Sequence, residues 1–198
     1  MAPPIYVEAR IRGTINELWR CTQSPDLHER WDLRFTQISY LPRPDRAFPQ
    51  RFRYTTRLGF GIAISGEGET AGDRSGPDGQ RTSALRFWSA SPISLICNGA
   101  GYWKYIPTAD GIRFITAYDY EVRFGWLGRL FDHLVFRRLI GWATAWSFDR
   151  LRLWIEQEQV PETSFWRMVV FAACLGGLPA THIPLARHCL RQRPRGER

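Results

Sequence analysis

Paired carboxylates are the residues of this chain whose spacing most directly suggests acid–base chemistry. Glu67 and Glu69 are two residues apart, as are Asp119 and Glu121. In a strand each pair shares one face, as a general acid and a general base would. The strand patterns described below place both pairs on the outer face of a sheet, where arginines of neighbouring strands can neutralise them. We therefore interpret them as surface ion pairs.

A stronger candidate lies next to Trp31. Asp32 and Arg34 follow this tryptophan at the point where a short predicted helix meets the sheet. An Asp–Arg pair in that position could steer a proton transfer, although a structural ion pair is the simpler interpretation. With two tyrosines of a later strand, these residues form the candidate catalytic set: Arg34, Asp32, Tyr118 and Tyr120.

The sequence predicts neither a metal site nor a cofactor. No two histidines have i, i+4 or H-x-H spacing, and the cysteines form no C-x-x-C pair. These residues are His28, His133, His182 and His188, and Cys21, Cys97, Cys174 and Cys189. No G-x-S-x-G, Walker or G-x-G-x-x-G motif is present, so the hydrolase and nucleotide-binding classes lose their main support.

The positive charge is concentrated near the C-terminus. Of the net charge of +8, residues 187–198 contribute +4 through five arginines and one glutamate. No predicted sheet face interleaves aromatic and basic residues, so we predict no nucleic-acid binding. Residues 168–186 carry no Asp, Glu, Lys or Arg, but glycines and prolines interrupt them. They predict a packed helix and a basic tail, and leave open a peripheral contact with the inner membrane surface.

The first part of the chain reads as strand, helix, helix, strand. Residues 5–12 alternate apolar and polar, and Thr14 with Glu17 has the spacing of a capping box before a helix over 15–22. A second helical turn starts at Ser24 and runs through Trp31, and residues 35–41 read as a strand. With no signal peptide ahead of the first strand, we expect a cytoplasmic location.

A hairpin over residues 51–69 has a register that can be predicted. A turn at 59–61 places opposite charges across from each other on the outer face, which stabilises a strand pair. The predicted pairs are Arg53 with Glu67, Arg51 with Glu69, Tyr54 with Gly66, and Phe52 with Gly68. The glycines leave room either for the aromatic ring to lie over the backbone or for a ligand to approach it.

The strand over residues 112–124 has the clearest alternation in the chain. Its inward set is predicted to be Ile112, Phe114, Thr116, Tyr118, Tyr120 and Val122. The preceding strand, 97–106, has an inward face that depends on the loop length, because a one-residue slip exchanges the two faces. A four-residue loop places Trp103 and Gly101 inward and keeps Lys104 outside, and we prefer it.

The run Gly125–Glu158 is free of proline and compatible with one long helix. It would be about 50 Å long, so a compact domain must wrap other elements around it. It carries four tryptophans, and Gly141 is a candidate position for a kink.

This order of elements resembles the SRPBCC, or START-like, superfamily. The resemblance covers residues 5–157 and rests on the segments 25–35 and 101–107 and on the long helix at 125–154. It implies an α+β helix-grip fold: a curved antiparallel sheet of about six to seven strands wrapped around a long C-terminal helix, with two short helices after the first strand. Residues 1–158 would form this domain, and residues 159–198 a C-terminal appendage with a short helix over 165–175.

The resemblance also implies a cavity between the sheet and the helix. Several phenols and indoles converge there, which suggests hydrogen bonds to a flat, mostly apolar ligand. The predicted ligand-binding residues are Tyr54, Phe87, Trp103, Tyr118, Tyr120, Trp142 and Trp146. The first hypothesis is a carrier, sensor or accessory protein for a hydrophobic or aromatic, lipid- or polyketide-like molecule. The alternatives are an aromatase/cyclase or dehydratase type of enzyme and a membrane-surface module.

Overall fold

The computed structural model describes residues 3–45, 47–164 and 187–189. The strands are β1 (Ile5–Ile11), β2 (Gln37–Tyr40), β3 (Arg51–Gly59), β4 (Ile62–Ser75), β5 (Arg81–Trp88), β6 (Ile96–Thr108), β7 (Gly111–Val122) and β8 (Arg187–Cys189). The helices are α1 (Ile15–Gln23), α2 (Pro25–Trp31), α3 (Gly125–Phe131), a π-helical segment (Asp132–Phe136) and α4 (Arg137–Gln157).

The opening elements form as the sequence predicts. Ile5, Val7 and Ile11 point into the core from β1 and are fully buried. Thr14 caps α1, because its Oγ1 accepts a hydrogen bond from the backbone N–H of Glu17 at 3.2 Å.

The strands form one antiparallel sheet in the order β2-β3-β4-β5-β6-β7-β1-β8. The prediction of six to seven strands is confirmed for β1–β7. The short strand β8 pairs with the free edge of β1 and was not predicted.

Both predicted hairpin registers are confirmed. In β3–β4, Arg53 pairs with Glu67 and Arg51 with Glu69. The two arginines nevertheless converge on one carboxylate, with ion pairs of 2.7 and 3.3 Å to Glu67. In β6–β7, Trp103 lies opposite Thr116, as the preferred register required.

The long helix is continuous but not uniform. Phe124, with a φ of 68°, turns the chain from β7 into α3, and Glu158, with a φ of 55°, ends α4. An irregularity lies in the π-helical segment. Gly141 lies inside α4, and the kink at this glycine stays a prediction. A π-helical segment adds a residue to the turn and changes which side chains share a face.

The main core lies where α2, the sheet and α4 meet. Ring contacts join α2, the sheet and α4: Trp31, Trp103, Phe114 and Phe148 have centroid separations from 4.3 to 6.3 Å. All four are buried, with Trp31, Phe114 and Phe148 fully so. We call this region of closely packed rings the solid half of the interior.

The chain continues against the helix after α4. Arg150 donates to the carbonyl of Pro161 from Nε at 3.2 Å and from Nη2 at 3.0 Å. The predicted helix over 165–175 and the basic tail lie outside the described residues, apart from β8, so the domain boundary at residue 158 stays a prediction. Within the described residues, no helix combines the length and apolarity that crossing a membrane requires.

Candidate functional site

A row of aromatic residues and glycines crosses the inner face of the sheet. The ladder pairs Phe52 with Gly68, Gly68 with Phe87, Phe87 with Gly99, and Gly99 with Tyr120. Aromatic side chains therefore alternate with glycines from β3 to β7. We call Phe52, Phe87 and Tyr120, with Tyr54 beside them, the aromatic floor.

The glycines let the floor rings lie flat along the sheet. A Cβ atom on Gly68 would overlap the ring of Phe52, and one on Gly99 would overlap the ring of Phe87. Of the two explanations offered for these glycines, the ring over the backbone is the observed one. Phe52, Phe87 and Tyr120 are only half-buried although they point inward. The floor is thus an accessible apolar surface, unlike the solid half of the interior.

Tyr54 closes one end of the floor. Its ring lies over Gly66 and meets Phe35 edge-on at a centroid distance of 5.4 Å. Burial raises the pKa of Tyr54 to about 12, so this phenol is protonated at neutral pH.

Trp103 lies outside the floor. It is buried among Trp31, Phe114 and the ring of His28, whose centroid is 5.0 Å away. Its contacts are those of a packing residue in the solid half.

Trp142 and Trp146 do not close the space between helix and sheet, contrary to expectation. Thr144 marks the side of α4 that faces the sheet, because its hydroxyl contacts Tyr118 at 2.8 Å. Each tryptophan is two residues from Thr144, which is about 200° around an α-helix. The two indoles therefore lie on the opposite side, where they pack against each other at 4.5 Å.

Asp32 and Arg34 form a buried ion pair beside the floor. The carboxylate of Asp32 accepts from Arg34 Nη2 at 2.6 Å and Nε at 2.9 Å, and from His28 Nε2 at 3.0 Å. The backbone N–H of Arg34 also donates to it. The Ser147 hydroxyl lies 3.4 Å from Asp32 Oδ1 and is 2.8 Å from the carbonyl of Ala143, to which it donates. Both oxygens of Asp32 therefore accept hydrogen bonds from Arg34, which is the geometry of a structural ion pair.

The electrostatics of this pair stabilise both charges. Burial alone would raise the pKa of Asp32, but the adjacent Arg34 guanidinium, with hydrogen bonds from Arg34 and His28, lowers it well below its usual range. Burial alone would lower the pKa of Arg34, but Asp32 raises it above its usual value.

Tyr118 is the partner of Arg34 on the sheet. The Arg34 guanidinium lies 5.5 Å from the centre of the Tyr118 ring. Because Thr144 donates to the carbonyl of Ile140 at 2.7 Å, the Tyr118 hydroxyl is the donor in its bond to Thr144. Burial raises the pKa of Tyr118.

Tyr120 belongs to a second polar group, next to the π-helical segment. Its hydroxyl donates to Asp132 Oδ1 at 2.5 Å, and Nη1 of Arg137 lies 3.6 Å from Asp132 Oδ2. The Arg137 guanidinium lies 5.5 Å from the centre of the Tyr120 ring. Burial and the neighbouring Asp132 carboxylate raise the pKa of Tyr120.

These shifts argue against proton transfer by the candidate catalytic set. A general acid or base works best with a pKa near the working pH. The pKa of Asp32 is lowered, whereas those of Arg34, Tyr118 and Tyr120 are raised, so each moves away from neutrality. The arrangement suits fixed charges and hydrogen-bond donors.

The predicted surface carboxylates lie where expected. Asp119 and Glu121 are exposed on β7, and Glu121 accepts from the side chain of Asn98 at 2.7 Å. A separate cavity of about 690 Å³ lies at the edge formed by β1, the β6–β7 turn and α4. Its lining is largely charged and contains none of the floor residues.

Sequence reasoning missed Asp132, Arg137 and Thr144. Thr144 shares its helical spacing with the buried Phe148 and Leu151, but the apolar residues of α4 cover more than one side, so the sequence did not identify it. Asp132 and Arg137 gave no signal either, because residues five apart do not share a face of an α-helix. The π-helical segment brings both to the inner side.

No protein-family model matches the chain. Among curated proteins it is similar to the uncharacterized membrane protein YndG of Bacillus subtilis (strain 168), with 50% identity over 160 residues. The matched part is 80% of this chain, and the chain spans 59% of the length of that relative.

Solved structures match at low identity over most of the domain. A STAR-related lipid transfer protein from Xanthomonas axonopodis superimposes with a TM-score of 0.55 and 15% identity, over 77% of this chain and 93% of that chain. A hypothetical protein from Helicobacter pylori gives 0.57 and 14%, over 76% and 85%. The di-domain ARO/CYC StfQ from the steffimycin biosynthetic pathway gives 0.50 and 13%, over 74% and 52%.

These likenesses agree with the observed element order, sheet and gripped helix. The chain therefore has the SRPBCC, or START-like, helix-grip fold.

Proposed function

We propose that this domain binds a hydrophobic or aromatic small molecule, lipid- or polyketide-like, between the aromatic floor and the helix. It would act as a carrier, sensor or accessory protein. The observation that carries the proposal is the floor itself: flat, inward-facing rings that the helix leaves half-buried. Small-molecule sites are lined mostly by apolar and aromatic side chains, with a few convergent polar groups.

The polar groups beside the floor support the same function. Arg34 and Arg137 lie over the adjacent rings of Tyr118 and Tyr120, and neither phenol is poised to lose its proton. They can orient a ligand without reacting with it. The likeness to a lipid transfer protein and to an ARO/CYC protein is compatible with this proposal, although at 15% and 13% identity it concerns the fold alone.

Native mass spectrometry of the purified full chain, followed by extraction, tests the proposal. We expect a retained apolar species, or uptake of an added flat aromatic compound such as 2-naphthamide. Phe87→Ala should weaken that uptake, because it removes the centre of the floor. Phe48→Ala, at an exposed loop position, and Trp142→Ala, on the far side of α4, should leave it unchanged. Equal uptake by all variants, or none by the wild type, would contradict the proposal.

Contact with a membrane surface is a second candidate, favoured by a specific observation. The segment from Phe124 to Leu139 exposes eight large apolar side chains at 41% or more. These are Phe124, Trp126, Leu127, Leu130, Phe131, Leu134, Val135 and Leu139, the exposed apolar stretch. A surface of this kind is normally covered by a partner or by lipid.

The charges around this stretch favour an anionic lipid surface. Arg129 and Arg138 are exposed within it, whereas Asp132, its only acidic residue, is buried. Apolar side chains flanked by arginine are typical of helices that lie at the membrane interface. The relative YndG is named as a membrane protein, which agrees with this candidate. The earlier hypothesis of contact through residues 168–186 concerns residues outside those described.

Vesicle co-sedimentation tests the second candidate. The full chain should pellet with phosphatidylglycerol vesicles and less with phosphatidylcholine vesicles. The double variant Trp126→Ala, Leu130→Ala should lose this binding. A matched double variant at exposed apolar positions off the helix, Phe48→Ala and Val160→Ala, should keep it. Pelleting that is equal for both double variants would exclude the stretch as the contact, and self-association at the same concentration would point to a second protein chain instead.

A further inference from the structure

Arg137 is a buried cation whose hydrogen bonds are incomplete. Its side chain is 6% exposed, and its Nε and Nη2 atoms have no hydrogen-bond partner in the part of the chain that the structure describes. Buried guanidinium groups without partners are rare in folded proteins, because their desolvation is costly. A group outside the described residues that accepts from this edge of Arg137 would remove that cost.

Helix geometry directs the side chain of Arg137 toward the interior. Arg137 is seven residues before Thr144, which is about 20° from it around an α-helix, so both share the side that faces the sheet. The position of the guanidinium over the ring of Tyr120 agrees with this direction.

Asp132 does not complete the coordination of Arg137. Its Oδ2 lies 3.6 Å from Nη1, which is not part of the Nε–Nη2 edge, and its Oδ1 accepts from the Tyr120 hydroxyl. Arg34 shows the contrast, since its Nε and Nη2 donate to the two oxygens of Asp32. The Nε–Nη2 edge of Arg137 is thus a fork of the same kind with no partner among the described residues.

We infer that Arg137 binds the carboxylate of an apolar acid whose hydrophobic body lies on the aromatic floor. A carboxylate presents two coplanar oxygens that match the two parallel N–H groups of a guanidinium fork. Tyr120 joins the two parts of the site, because it belongs to the floor and also lies beneath Arg137. The inference rests on the proposed function and names the chemical class of its ligand as a flat or chain-like hydrophobic carboxylic acid.

Two probes of equal shape separate this inference from the proposed function. 2-Naphthoate carries the carboxylate, and 2-naphthamide is its neutral counterpart, whose NH₂ group would face one donor of the fork. Isothermal titration calorimetry on the wild-type full chain should show naphthoate binding about 10- to 100-fold more tightly than naphthamide, as expected for hydrogen bonds to a charged group.

Variants at positions 137 and 138 test whether Arg137 causes the preference for naphthoate over naphthamide. Arg137→Gln should reduce the ratio of the two affinities to about one and leave the affinity for naphthamide unchanged. Arg138→Gln removes the same charge at the neighbouring exposed position and should keep the full ratio. Arg137→Lys keeps the charge without the fork, and should lose most of the preference, with folding of each variant checked by circular dichroism.

The results distinguish failure of the carboxylate inference from failure of the proposed function. If the wild type binds both probes equally, or if Arg137→Gln keeps the preference, the inference is overturned and the proposed function stands. If the wild type binds neither probe and retains no apolar species, both fall. Should the Arg137 variants fail to fold, the wild-type ratio still decides, since a ratio near one rules out a carboxylate at the fork.

Discussion

Replacing Asp32 with asparagine should destabilise the fold strongly. The carboxylate accepts from three groups of Arg34 and from His28, and the side chain is 0% exposed. Arg34 donates to both oxygens of Asp32, so in the asparagine variant the amide NH₂ faces an Arg34 donor in either of its two orientations. The Arg34 charge also loses its counterion.

The structure sets the size of this effect. Breaking a buried ion pair by removing one partner costs about 3–5 kcal/mol, because the remaining charge stays desolvated. Arg34 is 14% exposed, so little of its charge can return to water without movement. We therefore expect Asp32→Asn to lower the free energy of unfolding by about 3–5 kcal/mol at pH 7.

The pH dependence supplies an independent check of the same contact. The pKa of Asp32 in the folded state lies well below the usual range of an aspartate. The stabilisation is therefore fully present above the unfolded-state pKa and is lost as the pH falls through the folded-state pKa. The difference between wild type and Asp32→Asn should be constant from pH 7 to about 5 and shrink below about pH 4.

Urea denaturation followed by tryptophan fluorescence measures both quantities. Asp119→Asn, at an exposed position of β7, is the matched control and should change the stability by less than about 0.5 kcal/mol. The double variant Asp32→Asn, Arg34→Met should recover part of the loss, because it removes the unpaired charge. A loss below about 1 kcal/mol, or a difference that persists unchanged at pH 3, would refute the reasoning.

Three further variants test local contacts by the same denaturation assay. Gly66→Ala should cost about 1–3 kcal/mol, because its Cβ would overlap the ring of Tyr54. Thr14→Ala should cost about 1 kcal/mol, since it removes the side-chain cap of α1. Thr144→Val should cost about 1–3 kcal/mol, because the buried hydroxyl of Tyr118 loses its acceptor.

Conservative changes serve as controls for these variants. Gly76→Ala has space for its Cβ and should be nearly neutral. Thr14→Ser keeps the cap, and Thr144→Ser keeps the hydroxyl, so each should retain most of the stability that the non-hydroxylated variant loses. If serine and the non-hydroxylated residue were equally destabilising, the hydrogen bonds would not be the cause.

The alternation of side chains predicted the sheet with its register. Because the side-chain period of a strand is two, the charges of Arg53 and Glu67 on the outer face suffice to place Tyr54 and Phe52 on the inner face. The same reasoning predicted that Trp103 lies opposite Thr116. Short-range periodicity is therefore sufficient for these elements.

The helix was harder to predict in detail. Its length and lack of proline indicated the gripped helix, but its apolar residues cover more than one side, so composition did not show which side meets the sheet. Trp142 and Trp146 were predicted to face the sheet and instead lie opposite Thr144. The exposure of the apolar stretch was also not predicted, because the sequence of a helix does not show which of its apolar sides other elements will cover.

The sequence by itself determined the order of elements, the registers of the two hairpins and the Asp32–Arg34 pair, because these follow from local periodicity and short separations along the chain. Its resemblance to the SRPBCC superfamily implied the helix-grip architecture. Only the tertiary structure decided which aromatic residues form the accessible floor and which are packed in the solid half. It also brought Asp132 and Arg137 to one side of the helix. These residues are five apart, and a π-helical turn reduces the angle between such residues around the helix axis. The candidate ligand site depends on that angle.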